Sequence, residues 1–193
     1  MAVKTENFVQ VEVTSAQALR GWLETHHAQQ ESVWLVTYKK HIGDKYVSVQ
    51  QVLDEVLCFG WIDGVRRKLD HERTMQLIGP RRVLHWAGSY KVRVARLILE
   101  GRMNPAGLEA IAESKRQGLW DYLYDVGALE IPGDLAQALQ AHPLALEHFE
   151  AFPDASKRFT LRWIKLAKTP ETRTKRIAQT ALLAAQNVRI PGS

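Results

Sequence analysis

The sequence predicts an α+β protein: a small antiparallel or mixed β-sheet with helices packed on it, followed by a C-terminal all-helical region. Three observations predict it. Residues 33–40, Val-Trp-Leu-Val-Thr-Tyr-Lys-Lys, are dense in β-branched and aromatic side chains, as strands are. Residues 61–69 and 74–78 are two further extended runs joined by the turn-like Asp70-His-Glu-Arg73, and so short a link implies antiparallel pairing. Beyond Gly79-Pro80 such runs cease and helix starts and stops recur.

Taken in order, Phe8 to Val13 alternates apolar and polar and reads as a short strand. Thr14, with Gln17 three residues on, opens a helix as a capping box, and Leu19, Trp22 and Leu23 form its apolar stripe. The strand at 33–40 is followed by a loop at Gly43-Asp44. Ser48 with Gln51 caps the next helix, whose inner face is Val49, Val52, Leu53, Val56 and Leu57, and Gly60 supplies the left-handed residue that ends it. Gly79-Pro80 stops the second strand of the pair. Lys91 to Glu100 is helical, with Val94, Leu97 and Ile98 inward and Gly101 at its end. Asn104-Pro105 is a cap with proline at the first helical position, opening a helix through Leu108, Ile111 and Ala112 to Gly118. Further helices start after Ile131-Pro132, after His142-Pro143, at Asp154 (to Lys168) and at Thr169-Pro170. The helix from Asp154 places Phe159, Trp163, Leu166 and Ala167 on one apolar stripe; the last carries Ile177, Ala181 and Ala184 inward, and Arg189 to Ser193 frays. A boundary near 119–130 divides an α+β domain, 1–119, from a helical region, 120–193, the two packed as one compact unit.

Composition narrows the function. The 193 residues carry 46% apolar and 24% charged side chains, ordinary for a globular chain able to bury a core. One cysteine, Cys58, excludes an internal disulfide framework. The N-terminal residues lack the apolar centre of a secretory leader, and no run approaches the roughly 18 apolar residues that span a bilayer. A cytoplasmic protein is expected. The net charge of +5 is uneven: residues 64–102 hold ten Lys/Arg against three Asp/Glu, and residues 157–176 hold eight against one. Such blocks are solvated faces or meet an anionic partner.

The chain resembles the YdeI/OmpD-associated, or bacteriocin-protection, family. The residues that carry the resemblance are Trp34-Leu35 with Tyr38-Lys-Lys40; Glu55-Val-Leu-Cys-Phe-Gly-Trp-Ile-Asp-Gly64; Pro80-Arg-Arg82 with Trp86; Glu100-Gly-Arg-Met103 with Gly107; Ile131-Pro132; and Arg162-Trp-Ile164 with Ala167-Lys168, Glu171-Thr-Arg173 and Arg176-Ile177. They run through nearly the whole chain. The resemblance implies a bacterial protein whose molecular activity is undefined, the family being named for genetic associations with survival of antibacterial peptides and with a porin. Around Trp86 the chain departs from the family pattern: Leu84, His85 and Ala87 stand where polar residues are usual, and Tyr90 stands where an Asn is usual. A site lined by those polar residues in relatives is altered here.

The densest chemistry lies at 56–69, where a helix end, Gly60, Trp61, Ile62, Asp63 and three basic residues follow without a spacer. Asp63 shares its strand face with Trp61, Val65 and Arg67 by period-two alternation; it either pairs with Arg67, Arg81 or Lys40, or serves a pocket. Arg81 and Arg82 follow a Gly-Pro turn, where arginine suits carboxylate or phosphate. Lys39 and Lys40 end a strand as edge protection or face a ligand. Cys58 sits before the end of its helix, where the dipole disfavours a thiolate. The seven histidines form no zinc spacing, and glycine-rich phosphate loops are absent. In the C-terminal helices Arg162, Lys165, Arg173 and Arg176 either pair internally or hold an anion at the helix start opened by Thr169-Pro170.

The expectation is therefore a non-enzymatic binding protein with a basic and aromatic pocket for a small anionic ligand, formed by Tyr38, Lys40, Trp61, Asp63, Arg81, Arg82 and Trp86, with no metal and no cofactor. Its alternatives are an enzyme using Asp63 as general acid/base on an anionic substrate, and a nucleic-acid binder using residues 157–176.

Overall fold

The computed structural model describes residues 8–192. Residues 1–7, which carry the reading against a secretory leader, and Ser193 of the tail lie outside the described residues. The chain divides into two compact units, Met1–Asp121 and Tyr122–Ser193. The α+β class is as expected.

The first unit runs β1 (Gln10–Glu12), α1 (Ala16–His26), β2 (Val33–Tyr38), a 3-10 turn (Lys40–Lys45), α2 (Val49–Cys58), β3 (Trp61–Lys68), β4 (Arg73–Pro80), α3 (Gly88–Leu99) and α4 (Pro105–Arg116). The sheet order is β1-β2-β4-β3; β1 pairs parallel with β2 through the α1 crossover, and the remaining pairs are antiparallel, so the sheet is mixed. Val33 to Thr37 are all buried, which explains why β2 shows no apolar–polar alternation. Val33, Leu35, Ile78 and Trp61 join the inward faces of α1, α2 and α3 in one core.

The caps follow the sequence closely. Ser48 Oγ accepts from the Gln51 amide at 3.2 Å while Gln51 Oε1 accepts from the Ser48 amide at 2.9 Å, closing the capping box that starts α2. Gly60 ends that helix at φ +71. The start of α1 shifts by one residue: Ser15, not Thr14, is the cap, its Oγ accepting from the Ala18 amide at 3.0 Å. The loop expected at Gly43-Asp44 is a 3-10 turn with Gly43 at φ +67. Pro80 is the last residue of β4 rather than a stop before it, and pairs with Trp61.

Three expected faces are corrected. Ile98 and Leu108 point outward; on α4 the inward positions are Gly107, Ile111 and Ser114, whose Oγ donates to Leu84 O at 2.5 Å. On β3 the register slips: Asp63 pairs with Ile78, but the next pair is Arg66 with Gln76. The extra residue on β3 is a bulge, which resets the alternation. Arg66, not Arg67, therefore remains on the face of Trp61 and Asp63, and its Nη2 donates to Thr74 Oγ1 at 2.9 Å. Arg67 crosses to the other face and lies over the Trp34 ring, 5.2 Å from its centroid.

An ion cluster joins the helices of this unit. Asp54 and Glu55 are buried at the centre of α2. Asp54 accepts from Arg93 and from Arg96 Nη2 at 2.7 and 2.8 Å; Glu55 accepts from Arg20 at 3.0 Å and Arg102 at 2.6 Å. Arg20 also donates to Arg102 O at 2.9 Å. Burial raises the Asp54 pKa, but the hydrogen bonds from Arg96 and Arg93 outweigh it and hold the carboxyl below its usual value.

In the second unit, α5 (Tyr124–Gly127), α6 (Gly133–Gln140), α7 (Ala145–Ala151), α8 (Asp154–Lys165) and α9 (Pro170–Ala185) enclose a core that includes Leu135, Leu139, Phe149, Ile164 and Ala181. Ile177, Ala181 and Ala184 are inward as expected. The helix α8 differs. It ends at Lys165, and its buried face is Ser156, Thr160, Leu161 and Ile164, leaving Phe159 and Trp163 half-buried. Arg176 draws Trp163 outward: its guanidinium lies over the indole at 4.8 Å and donates to Trp163 O. The tail is held rather than frayed at Ile190, which is buried, and Arg189 donates to Ser156 Oγ at 3.3 Å.

Three stability outcomes follow from these contacts. A Cβ on Gly107 would lie 2.2 Å from Cys58 O, whereas one on Gly21 meets nothing within 4 Å. Denaturant unfolding should show Gly107→Ala weaker by about 1–3 kcal/mol through overpacking and Gly21→Ala stronger by about 0.5–1 kcal/mol through helix propensity. Asp54→Asn should cost about 3 kcal/mol at pH 7, because it strips a buried partner from two arginines. Since the folded-state pKa of Asp54 is depressed, that contribution is present above about pH 4 and is lost as pH falls through the folded value. The gap between the two proteins should therefore close below about pH 4; a constant gap across the acid range argues against the cluster. In the second unit Phe149→Ala should cost about 3–5 kcal/mol, and Trp163→Ala roughly half of that because its side chain is only half-buried.

Candidate functional site

Where β4 ends, the Arg81 amide donates to Gly60 O at 3.1 Å, and the chain then runs without regular structure to α3. This segment turns the Arg81 side chain back onto Trp86. The Cζ of Arg81 lies 3.9 Å from the Trp86 ring centroid and 5.8 Å from that of Tyr90, in the first turn of α3. Trp86 is buried, tilted against Trp120 with centroids 5.4 Å apart. Arg81 Nη2 donates to His85 O at 2.5 Å. Its Nε and Nη1, and Nε1 of Trp86, are buried with no hydrogen-bond partner. Burial pulls the guanidinium pKa down to about 10, against the opposing influence of Tyr90 and Asp63. It therefore keeps its charge at neutral pH.

Asp63 stands beside this group, on the sheet face that carries Trp61 and Ile78. Its Oδ1 accepts from Tyr90 Oη at 2.8 Å and its Oδ2 from Gln76 Nε2 at 3.1 Å. No ion pair joins it to Arg81 among the described residues. The structure thus brings together Asp63, Arg81 and Trp86, and adds Tyr90, Gln76 and Trp120. Tyr90 was visible in the sequence only as a residue out of pattern; Gln76 and Trp120 carried no signal beyond their residue type.

The other candidates lie elsewhere. Trp61 is buried in the core, its Nε1 donating to His27 O at 2.8 Å and its ring edge-on to Trp22. Tyr38 lies on the opposite sheet face, bonded to Glu12 Oε1 at 2.6 Å, and Arg73 reaches the other oxygen of Glu12 at 2.7 Å. Lys40 is exposed in the 3-10 turn, while Lys39 donates to Asp70 O and His71 O. Arg82 donates to Gln30 O at 2.8 Å and borders a groove of about 590 Å³ whose lining includes Ile62, Asp63, Leu77, Gly79 and Val83 but neither Arg81 nor Trp86. The Cys58 thiol is buried, and burial with the neighbouring Glu55 carboxylate pushes its pKa up.

In the second unit, most of the candidate cations have partners. Lys165 bonds both oxygens of Asp125 at 2.6 Å, and Arg173 binds Asp134 at 2.7 and 2.9 Å. Arg176 is engaged by Trp163, and Arg162 is exposed. The start of α9 is capped internally, Thr169 Oγ1 accepting from the Thr172 amide at 3.2 Å. Among the described residues no group of three His, Cys, Asp or Glu side chains is placed to hold a metal ion, and no helix is long and apolar enough to cross a membrane.

Comparison with known families divides the chain much as its folding does. Residues 11–110 match a domain of unknown function (DUF8412), and residues 128–187 match the family described as bacteriocin-protection, YdeI or OmpD-associated. No curated protein and no solved structure matches the chain. The resemblance drawn across the sequence is thus met by a family match in its C-terminal part, while Asp63, Arg81, Trp86 and Tyr90 fall within the other match. With just over half of its length in the first match, the chain belongs to the family of that domain of unknown function, and its later residues are similar to the bacteriocin-protection, YdeI or OmpD-associated family.

Proposed function

We propose that this is a cytoplasmic, non-enzymatic binding protein whose first unit takes a small anionic ligand at Arg81 and Trp86. The observation that carries the reading is the set of buried N–H donors on Arg81 and Trp86 with no acceptor. Buried donors are rarely left unpaired, and each orphan costs about 1–3 kcal/mol. A buried guanidinium without a carboxylate contact costs more. An incoming carboxylate or phosphate oxygen would remove both costs at once. The free, buried Cys58 is compatible with a reducing compartment.

The reading of Asp63 as a general acid/base is weaker, because both of its oxygens already accept hydrogen bonds from Tyr90 and Gln76. The nucleic-acid reading is weaker because Lys165 and Arg173 are committed to Asp125 and Asp134.

The test is thermal unfolding and calorimetric titration with acetate, benzoate and inorganic phosphate. At least one should bind the wild-type protein, and Arg81→Met should weaken that binding by roughly 10- to 150-fold, the worth of hydrogen bonds to a charged group. The unliganded Arg81→Met protein should lose less than about 2 kcal/mol, since removing an uncompensated buried charge offsets the lost stacking on Trp86. A large loss of stability with unchanged anion binding would make Arg81 a structural residue and overturn the proposal.

A further inference from the structure

We infer that the ligand is a zwitterion, its carboxylate held by Arg81 and Trp86 and its ammonium group by Asp63. The inference rests on the anion-binding reading and adds a second pole to it. Arg81 and Asp63 are opposite charges in one half-buried neighbourhood, and both make contact with Tyr90. Such a pair would ordinarily close on itself, since Coulomb attraction grows as water is excluded. Here it does not. Gln76 and the Tyr90 hydroxyl hold Asp63, and Trp86 with His85 O holds Arg81. The sheet and α3 keep the two charges apart, each incompletely satisfied.

The capacity left over on each side has a definite chemistry. A carboxylate offers about four lone-pair positions, and the tyrosine and glutamine occupy two of those on Asp63. The open positions suit an N–H donor. On Arg81 the open positions are donors and suit an acceptor. A ligand with only a carboxylate would bring a second negative charge close to Asp63, in a place where water screens poorly. A ligand with carboxylate and ammonium groups on a short linker leaves the net charge of the site unchanged and fills both sets. Small amino acids are the chemical class with that form.

Isothermal titration of the full chain at pH 7 separates the possibilities. The probes are propionate (carboxylate alone), propylammonium (ammonium alone), and glycine, β-alanine and γ-aminobutyrate, which vary the charge separation. At least one zwitterion should bind ~10-fold or more tightly than propionate, the worth of one additional charged contact. Asp63→Asn keeps a side-chain acceptor for Tyr90 and should erase that advantage while leaving propionate binding equal or stronger. Arg81→Met should weaken both ligands. Propionate binding as tightly as every zwitterion, with Asp63→Asn having no effect, would overturn the zwitterion inference and leave the anion reading standing. Failure of all five probes to bind the wild-type protein, its fold verified by circular dichroism, would count against both.

Discussion

The arrangement of the first unit turns on two adjacent carboxylates in the middle of α2. Asp54 and Glu55 sit where an amphipathic helix would normally carry apolar side chains, and arginines from α1, α3 and the segment after α3 converge on them. Buried ion pairs contribute little net stability against an apolar alternative, but a broken one is expensive. Their effect is to select one packing: any sliding of α3 along α2 strands Asp54 or the arginines. The rotation of α3 is thereby set, and with it the direction of Tyr90 in its first turn. The link from Tyr90 to Asp63 across the sheet edge is thus a downstream consequence of charges three and six residues further along α3.

The β-bulge is the second constraint. With unbroken alternation Arg67 would share the face of Asp63, two positions further along it. The extra residue between Asp63 and Arg66 sends Arg67 to the other face, onto Trp34. Arg66 stays on the face but spends its guanidinium on Thr74. Asp63 is therefore left to Tyr90 and Gln76, both neutral donors. Bulges commonly re-aim side chains beside functional sites, and this one decides which charges meet.

The contrast between what the sequence discloses and what it conceals has a physical basis. Caps are local: Ser48 with Gln51, Asn104 with Pro105, Thr169 with Pro170 and the left-handed Gly60 all depend on neighbours within four residues, and all four are legible. Pairings distant in sequence are not. Nothing in the sequence couples Asp54 to Arg93 and Arg96, or Asp63 to Tyr90. The bulge has no strong composition signal beyond Gly64. The face of α8 is hidden because Phe159 and Trp163 outrank Thr160 and Ser156 in hydrophobicity, yet the small polar side chains are the ones that fit inside, while Arg176 lies over the half-buried indole. Of the seven pocket candidates, Asp63, Arg81 and Trp86 converge because they flank one hairpin. Tyr38 and Lys40 diverge because Tyr38 ends β2 on its opposite face and Lys40 lies in the 3-10 turn beyond it, and because no residue-type argument reports on distance along a sheet.

Tyr90 shows why a departure from a family pattern deserves a physical reading. The pattern it departs from is that of the YdeI/OmpD-associated family, whereas the segment lies in the match to the other domain. An Asn at this position is too short to span from α3 to the sheet while also presenting a ring to a guanidinium. The phenol does both: its hydroxyl reaches Asp63 at 2.8 Å and its ring lies 5.8 Å from Arg81 Cζ. It separates two opposite charges while touching each. A fold that required Arg81 for stability alone would gain from letting it reach Asp63, since a paired buried arginine is less costly than an unpaired one. Keeping them apart, with donors of Arg81 and Trp86 unanswered, raises the energy of the empty protein. An acceptor placed between those donors would remove that cost, which is the physical argument behind the proposed anion site.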